Sequence, residues 1–140
     1  MNIELNEFNN IFGMIDSAYH EAALKIGMSD SELSIYYVMA IHGDGSNQSL
    51  LYKETGQKKS TINSCIRKLE KEDMVYLKAG EGRNTRVFLT EAGKARMAKV
   101  KKIVDIEKSI YASWNDEERA LFMELNKRYA EQFEEAIKEL

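Results

Sequence analysis

Between Lys59 and Lys68 the chain reads KSTINSCIRK, short hydrogen-bonding side chains and cations interleaved with apolar residues. Ser60, Asn63, Ser64 and Arg67 recur at the spacing of one helical face, with Lys59 and Lys68 beside it. Ile62, Cys65, Ile66 and Leu69 recur on the opposite face. Such a polar face suits a helix lying in a DNA groove, where hydroxyls and amides read base edges while Lys and Arg hold phosphates. The plain alternative is a solvated helix surface, and the next residues weigh against it. Val75-Tyr76-Leu77 is a short β-rich run, Gly80-Glu81-Gly82-Arg83-Asn84 is dense in turn formers, and Val87-Phe88-Leu89 resumes the strand character. Arg83 falls near the loop tip and Arg86 on the returning strand. A polar helix followed by a charged hairpin is the winged helix-turn-helix arrangement.

These residues resemble the MarR (multiple-antibiotic-resistance regulator) family of dimeric bacterial transcription factors. The family's wing reads Asp-x-Arg, a gap of three, an aliphatic residue, any residue, Leu-Thr and then Gly. Here Glu81-Gly82-Arg83, Val87, Leu89-Thr90 and Gly93 stand in that register, with Glu81 in place of Asp. Thr61-Ile62 and Leu69-Glu70 align with the family's recognition helix. Gln57 stands where an apolar residue is usual, Lys58 where a Ser or Thr N-cap is usual, and Asp73 where Gly is usual. The resemblance implies a repressor that binds double-stranded DNA as a homodimer. Lys59, Ser60, Thr61, Asn63, Ser64, Arg67, Lys68, Glu81, Arg83 and Arg86 are the implied DNA-binding residues. Arg83 would enter a minor groove, oriented by Glu81. The resemblance also implies a small phenolic or anionic effector, in a pocket for which Phe12, Tyr19, Tyr36 and Met39 are candidates. The competing function is a winged-helix module that binds protein and not DNA.

Other chemistry finds little support. Cys65, in step with Ile62 and Leu69, reads as a small core residue before it reads as a redox sensor. Neither His20 nor His42 has a Cys or His three or four residues away, so no metal site is expected. No nucleophile–base pair or phosphate loop points to an enzyme, and no cofactor is expected. The net charge of −3 is unevenly spread. Lys53 to Arg86 holds nine Lys and Arg against five Asp and Glu, whereas the remainder holds eleven against eighteen. Basic charge therefore concentrates on the reading segment. With no apolar run near the roughly 18 residues of a membrane span and no signal peptide at MNIELNEFNN, a cytoplasmic protein without membrane partners is expected.

The elements that must position this segment follow from periodicity. Leu5, Phe8, Phe12, Ile15, Tyr19, Ala22 and Ile26 make a narrow seam on a helix ending near Gly27. Ser29 with Glu32 is a capping-box pair opening a helix whose Leu33, Ile35, Tyr36, Val38, Met39 and Ile41 predict burial on nearly all sides. Gly43-Asp44-Gly45 stops it, Asn47-Gln48 suits a one-bridge strand, and Ser49 would cap a short helix from Leu50 to Thr55. After the wing, Thr90 would cap a long helix through Ala95, Val100, Ile103, Val104, Ile106 and Ile110. Its Lys94, Arg96, Lys99, Lys101 and Lys102 read as a solvated basic face. Asn115 with Glu118 opens a last helix carrying Phe122, Leu125, Tyr129, Phe133, Ile137 and Leu140. The expected fold class is mainly α with a small β-hairpin wing. One domain would span 1–140, with dimerisation helices at 1–27 and 95–140 around a DNA-binding lobe at 29–93.

Overall fold

The spacings above become helices and strands nearly as read. In the computed structural model, which describes residues 2–82 and 84–140, α1 spans Asn2–Ile26, α2 Asp30–His42, β1 Ser46–Asn47, α3 Gln48–Thr55 and α4 Lys59–Lys71. β2 Val75–Ala79, β3 Thr85–Leu89, α5 Glu91–Ala112 and α6 Asp116–Ile137 follow. The fold class is mainly α with a three-stranded antiparallel sheet in the order β1-β3-β2. The chain forms two compact units, Met1–Val104 and Asp105–Leu140, with the division inside α5.

In the first unit, Leu33, Ile35, Tyr36, Val38 and Met39 of α2 are buried. They join Leu51 of α3, Ile62, Ile66 and Leu69 of α4, and Met97 and Val100 of α5. The strands add Val75, Val87 and Leu89 from one face, as a period of two requires. Ile41 departs from the expectation and stands 54% exposed in the last turn of α2. In α5, Met97 is the buried residue where the sequence pointed to Ala95, which is exposed.

Three further readings of the sequence are corrected. The strand is Ser46–Asn47, and Asn47, not Ser49, caps α3 by accepting the Ser49 N–H at 2.8 Å. Pairing of Ser46 and Asn47 with Val87 and Arg86 holds them extended, the backbone an N-cap needs, and Asn caps at least as well as Ser. Only half of the expected box forms at α2. Ser29 accepts the Glu32 N–H at 3.1 Å, but the Glu32 carboxylate takes a hydrogen bond at 2.8 Å from Arg96 of α5. Arg96 thus leaves the solvated basic face and donates also to the Gly27 carbonyl. The ion pair links α5 to the α1–α2 junction, and Glu32 is buried there.

Thr90 does cap α5, accepting the Gly93 N–H at 3.0 Å. A Cβ at Gly93 would strike the Met74 carbonyl, so glycine allows this close approach of α5 to the α4–β2 turn. In that turn Asp73 has φ 62, the left-handed conformation that Gly adopts without strain.

In the second unit, Asn115 and Glu118 complete a reciprocal capping box at α6. Trp114 packs edge-on against Phe122 with centroids 5.0 Å apart, and Tyr111 joins them. No residue of α6 is buried; Phe122, Leu125, Tyr129, Phe133 and Ile137 are each about half exposed. In the first unit α1 buries only Ala23 and leaves Leu5, Phe12 and Ile15 similarly exposed.

Candidate nucleic-acid interface

α4 divides sharply into two faces. Ile62, Ile66 and Leu69 are at most 1% exposed, whereas Ser60, Thr61, Ser64, Arg67 and Lys68 are exposed. Lys58 occupies the N-cap position without a side-chain cap bond, so the first turn of α4 offers backbone N–H groups and two adjacent lysines, Lys58 and Lys59. This is the electropositive end of the helix, suited to a phosphate. Lys68 pairs with Glu72 at 3.8 Å, which reduces its charge toward a partner.

Asn63 is half-buried. Its amide oxygen lies 3.4 Å from Gln48 Nε2 and 3.5 Å from the Tyr52 hydroxyl, both on α3. Tyr52 also lies under Lys59, whose Nζ is 5.3 Å from the ring centroid. α3 therefore braces the start of α4 through one aromatic ring, a role that sequence reading missed. The signal was faint: Tyr52 is a lone aromatic in a short helix with no repeating partner.

The hairpin places Tyr76, Lys78, Arg86 and Phe88 on one face, with Tyr76 opposite Phe88 and Lys78 opposite Arg86. Tyr76 and Phe88 stack at 5.4 Å, and Lys78 Nζ lies 5.7 and 5.4 Å from their centroids. Two cations directly opposed across strands repel, an arrangement that an anion relieves. Lys78 was also missed, although strand alternation puts it beside Tyr76. Arg86 is anchored at the lobe, donating to the Gly45 carbonyl at 3.0 Å. Glu81 is exposed in the loop, closed by a hydrogen bond from the Gly80 N–H to the Asn84 carbonyl. Arg83 lies outside the described residues.

Cys65 is partly buried, and burial, with Glu32 adding to it, pushes its thiol up to about 11. A thiol so protonated is a poor nucleophile. Tyr36 is fully buried; burial first, and Glu32 second, raise its phenol to about 12 against an opposing pull from Arg96. Its hydroxyl sits near that guanidinium without a bond of good geometry. Of the four effector candidates, Tyr36 and Met39 are core residues and Phe12 lies on α1 against Phe8. Tyr19 lines a cavity formed with α2 and the end of α3, whose lining does not include the other three. Among the described residues no group of three or more His, Cys, Asp or Glu is placed to hold a metal ion, and no helix is long and apolar enough to cross a membrane.

No protein-family model matches this chain, and no curated protein sequence matches it. Solved structures do. A MarR family regulator from Neisseria meningitidis superposes with a TM-score of 0.83 at 19% identity, covering 97% of each chain. MepR of S. aureus, in a complex with DNA, superposes with a TM-score of 0.68 at 17% identity over 91% of this chain and 96% of that one. The PcaV transcriptional regulator of Streptomyces coelicolor, in complex with its natural ligand, gives a TM-score of 0.62 at 16% identity over 88% and 91%. The fold is the MarR winged helix with its N- and C-terminal helices.

Proposed function

We propose that this chain, folded as the MarR family regulators are, is a DNA-binding transcriptional regulator. It acts in the cytoplasm as a homodimeric repressor on a near-palindromic operator and is released by a small-molecule effector. The observation that carries the reading is the division of α4: a fully buried apolar face behind an exposed row of Ser60, Thr61, Ser64 and Arg67. Lys58 and Lys59 stand at the helix's positive end, and the hairpin adds Lys78.

In this reading α4 enters the major groove, Arg67 and Asn63 reach base edges, and Lys59 and Lys78 hold phosphates. Arg83, by its place in the wing motif, takes the minor groove. The MepR structure, with the same fold, was solved on DNA. Homodimerisation is supported by the half-exposed apolar rows on α1 and on α6, each more than a solvated helix needs.

A fluorescence-anisotropy titration against the DNA upstream of its own coding region tests the proposal. The expected result is tight binding whose affinity falls steeply with salt, as counterion release requires. Binding that is absent, or indifferent to salt and sequence, would leave the protein-interaction module as the better reading.

A further inference from the structure

A cavity of about 470 Å³ opens in the first unit between α1, α2 and the C-terminal end of α3. That size suits a small organic molecule. Its charge is one-sided. Among the described residues, Asp16, Asp30 and Glu54 line it with one imidazole, His20, and no Lys or Arg.

Two of the three carboxylates are held in place. His20 Nδ1 lies 3.0 Å from both oxygens of Asp30, and His42 Nε2 lies 2.6 Å from Glu54. Two aromatic rings, Tyr19 and Tyr37, also line the cavity, edge-to-face with centroids 6.4 Å apart. Carboxylates and tyrosine rings lining one cavity are the chemistry that recognises a positive charge carried on an apolar body. An anion would meet the like charge of these carboxylates in a recess where screening is weaker than in bulk water.

We propose that this cavity binds a small organic cation, an amine or quaternary ammonium with a compact apolar body. This rests on the regulator reading and gives the effector its class, in place of the phenolic or anionic compound that family resemblance implied. Gln57 explains how occupancy reaches DNA. It lines the cavity, accepts from Ser31 at 2.9 Å, and donates to Ser34 at 3.3 Å. It stands two residues before α4, at the position where the family pattern has an apolar side chain. A cation drawing on Glu54 and the Gln57 amide bears directly on the turn that sets the recognition helix.

The test is calorimetric titration of the purified full-length protein, without DNA, using benzyltrimethylammonium, salicylate and benzyl alcohol as cationic, anionic and neutral probes. The cation is expected to bind, more weakly as salt rises, and salicylate is expected not to bind. Asp16→Asn and Glu54→Gln should each lower cation affinity by roughly five- to tenfold. Asp16 is exposed, so that variant keeps its fold even where Glu54→Gln loosens α3. Salicylate binding as well as the cation, no cation binding, or unchanged affinity in Asp16→Asn would each overturn the inference. A protein that binds the cation but no operator would overturn the regulator reading alone.

Discussion

Arg67 and Lys59 lie on the same helix but should fail differently when removed. Arg67 projects from the exposed row, where a guanidinium can pair bidentately with a guanine edge. Arg67→Ala is expected to cost about 1–3 kcal/mol and to relax preference at one base position in each half-site. Lys59, lodged over Tyr52 at the helix start, is placed as a phosphate contact would be in the proposed reading. Lys59→Ala should weaken binding to every sequence and flatten the salt slope by about one unit. Competition with a base-substituted operator series separates the two, and equal losses on all sequences for both variants would refute the assignment. The buried titratable groups make a prediction about stability. Cys65 and Tyr36 hold their protons in the fold, at about 11 and about 12, beyond their ordinary 9.0 and 10.0. Above the unfolded thiol's value the native state therefore binds more protons than the unfolded chain, and stability must fall as pH rises from there through about 11 and 12. Thermal melts should be flat in this respect below pH 8 or so and decline above about 9, with a shallower decline in Cys65→Ala. A rise in melting temperature with alkaline pH would contradict the burial described here.

At the scale of elements, two joints hold the lobe's helices in register. One is the Glu32–Arg96 pair, in which Glu32 is 7% exposed and the guanidinium ties α5 to Gly27. Removing one partner strands a buried charge, so Arg96→Ala should destabilise by about 3–5 kcal/mol. Replacing both with apolar residues, Glu32→Leu with Arg96→Met, should recover most of that loss. Urea denaturation decides it; a loss within about 0.5 kcal/mol for Arg96→Ala would show the pair to be ornamental. The other joint is the α4–β2 turn, where Asp73 pays a left-handed backbone to bring Met74 against Gly93. Asp73→Gly removes that strain while adding unfolded-state entropy, and it should be neutral or stabilising. A loss beyond about 1 kcal/mol in the same denaturation experiment would mean that the Asp73 side chain holds the turn.

For the whole molecule the prediction concerns assembly. α1 leaves Leu5, Phe12 and Ile15 half exposed, and α6 leaves Phe122, Leu125, Tyr129, Phe133 and Ile137 so. Each such side chain, once buried, contributes roughly 1.5–3 kcal/mol, enough in sum to exceed the cost of association. A second copy would join two lobes, make the second half-site contact intramolecular and raise affinity by on the order of 10²–10⁴. Phe133→Asp and Phe12→Asp should each dissociate the protein and abolish operator binding while leaving non-specific, salt-sensitive binding. Sedimentation at micromolar concentration checks this, and a folded monomer with full operator affinity would refute it.

Residue spacing alone determined the order and kind of the elements: the seam of α1, the two faces of α4, the hairpin, the caps at Thr90 and Asn115. These rest on local periodicity and short-range hydrogen bonds, which a linear chain displays. The exposed row was legible for the same reason, because α4 buries one stripe and must present the other. What only the tertiary structure decided are contacts between residues distant in the chain. Arg96 looked like one of several surface cations until α5 brought it to Glu32, 64 residues away. Asn47 displaced Ser49 as a cap because pairing with β3 fixed its backbone. The burial of Tyr36 and Met39 was settled by packing, and the acidity of the cavity beside α1 arose from Asp16, Asp30 and Glu54, spread over 38 positions and three helices. A charge's partner, and so its meaning, is set by through-space distance, which no local pattern encodes.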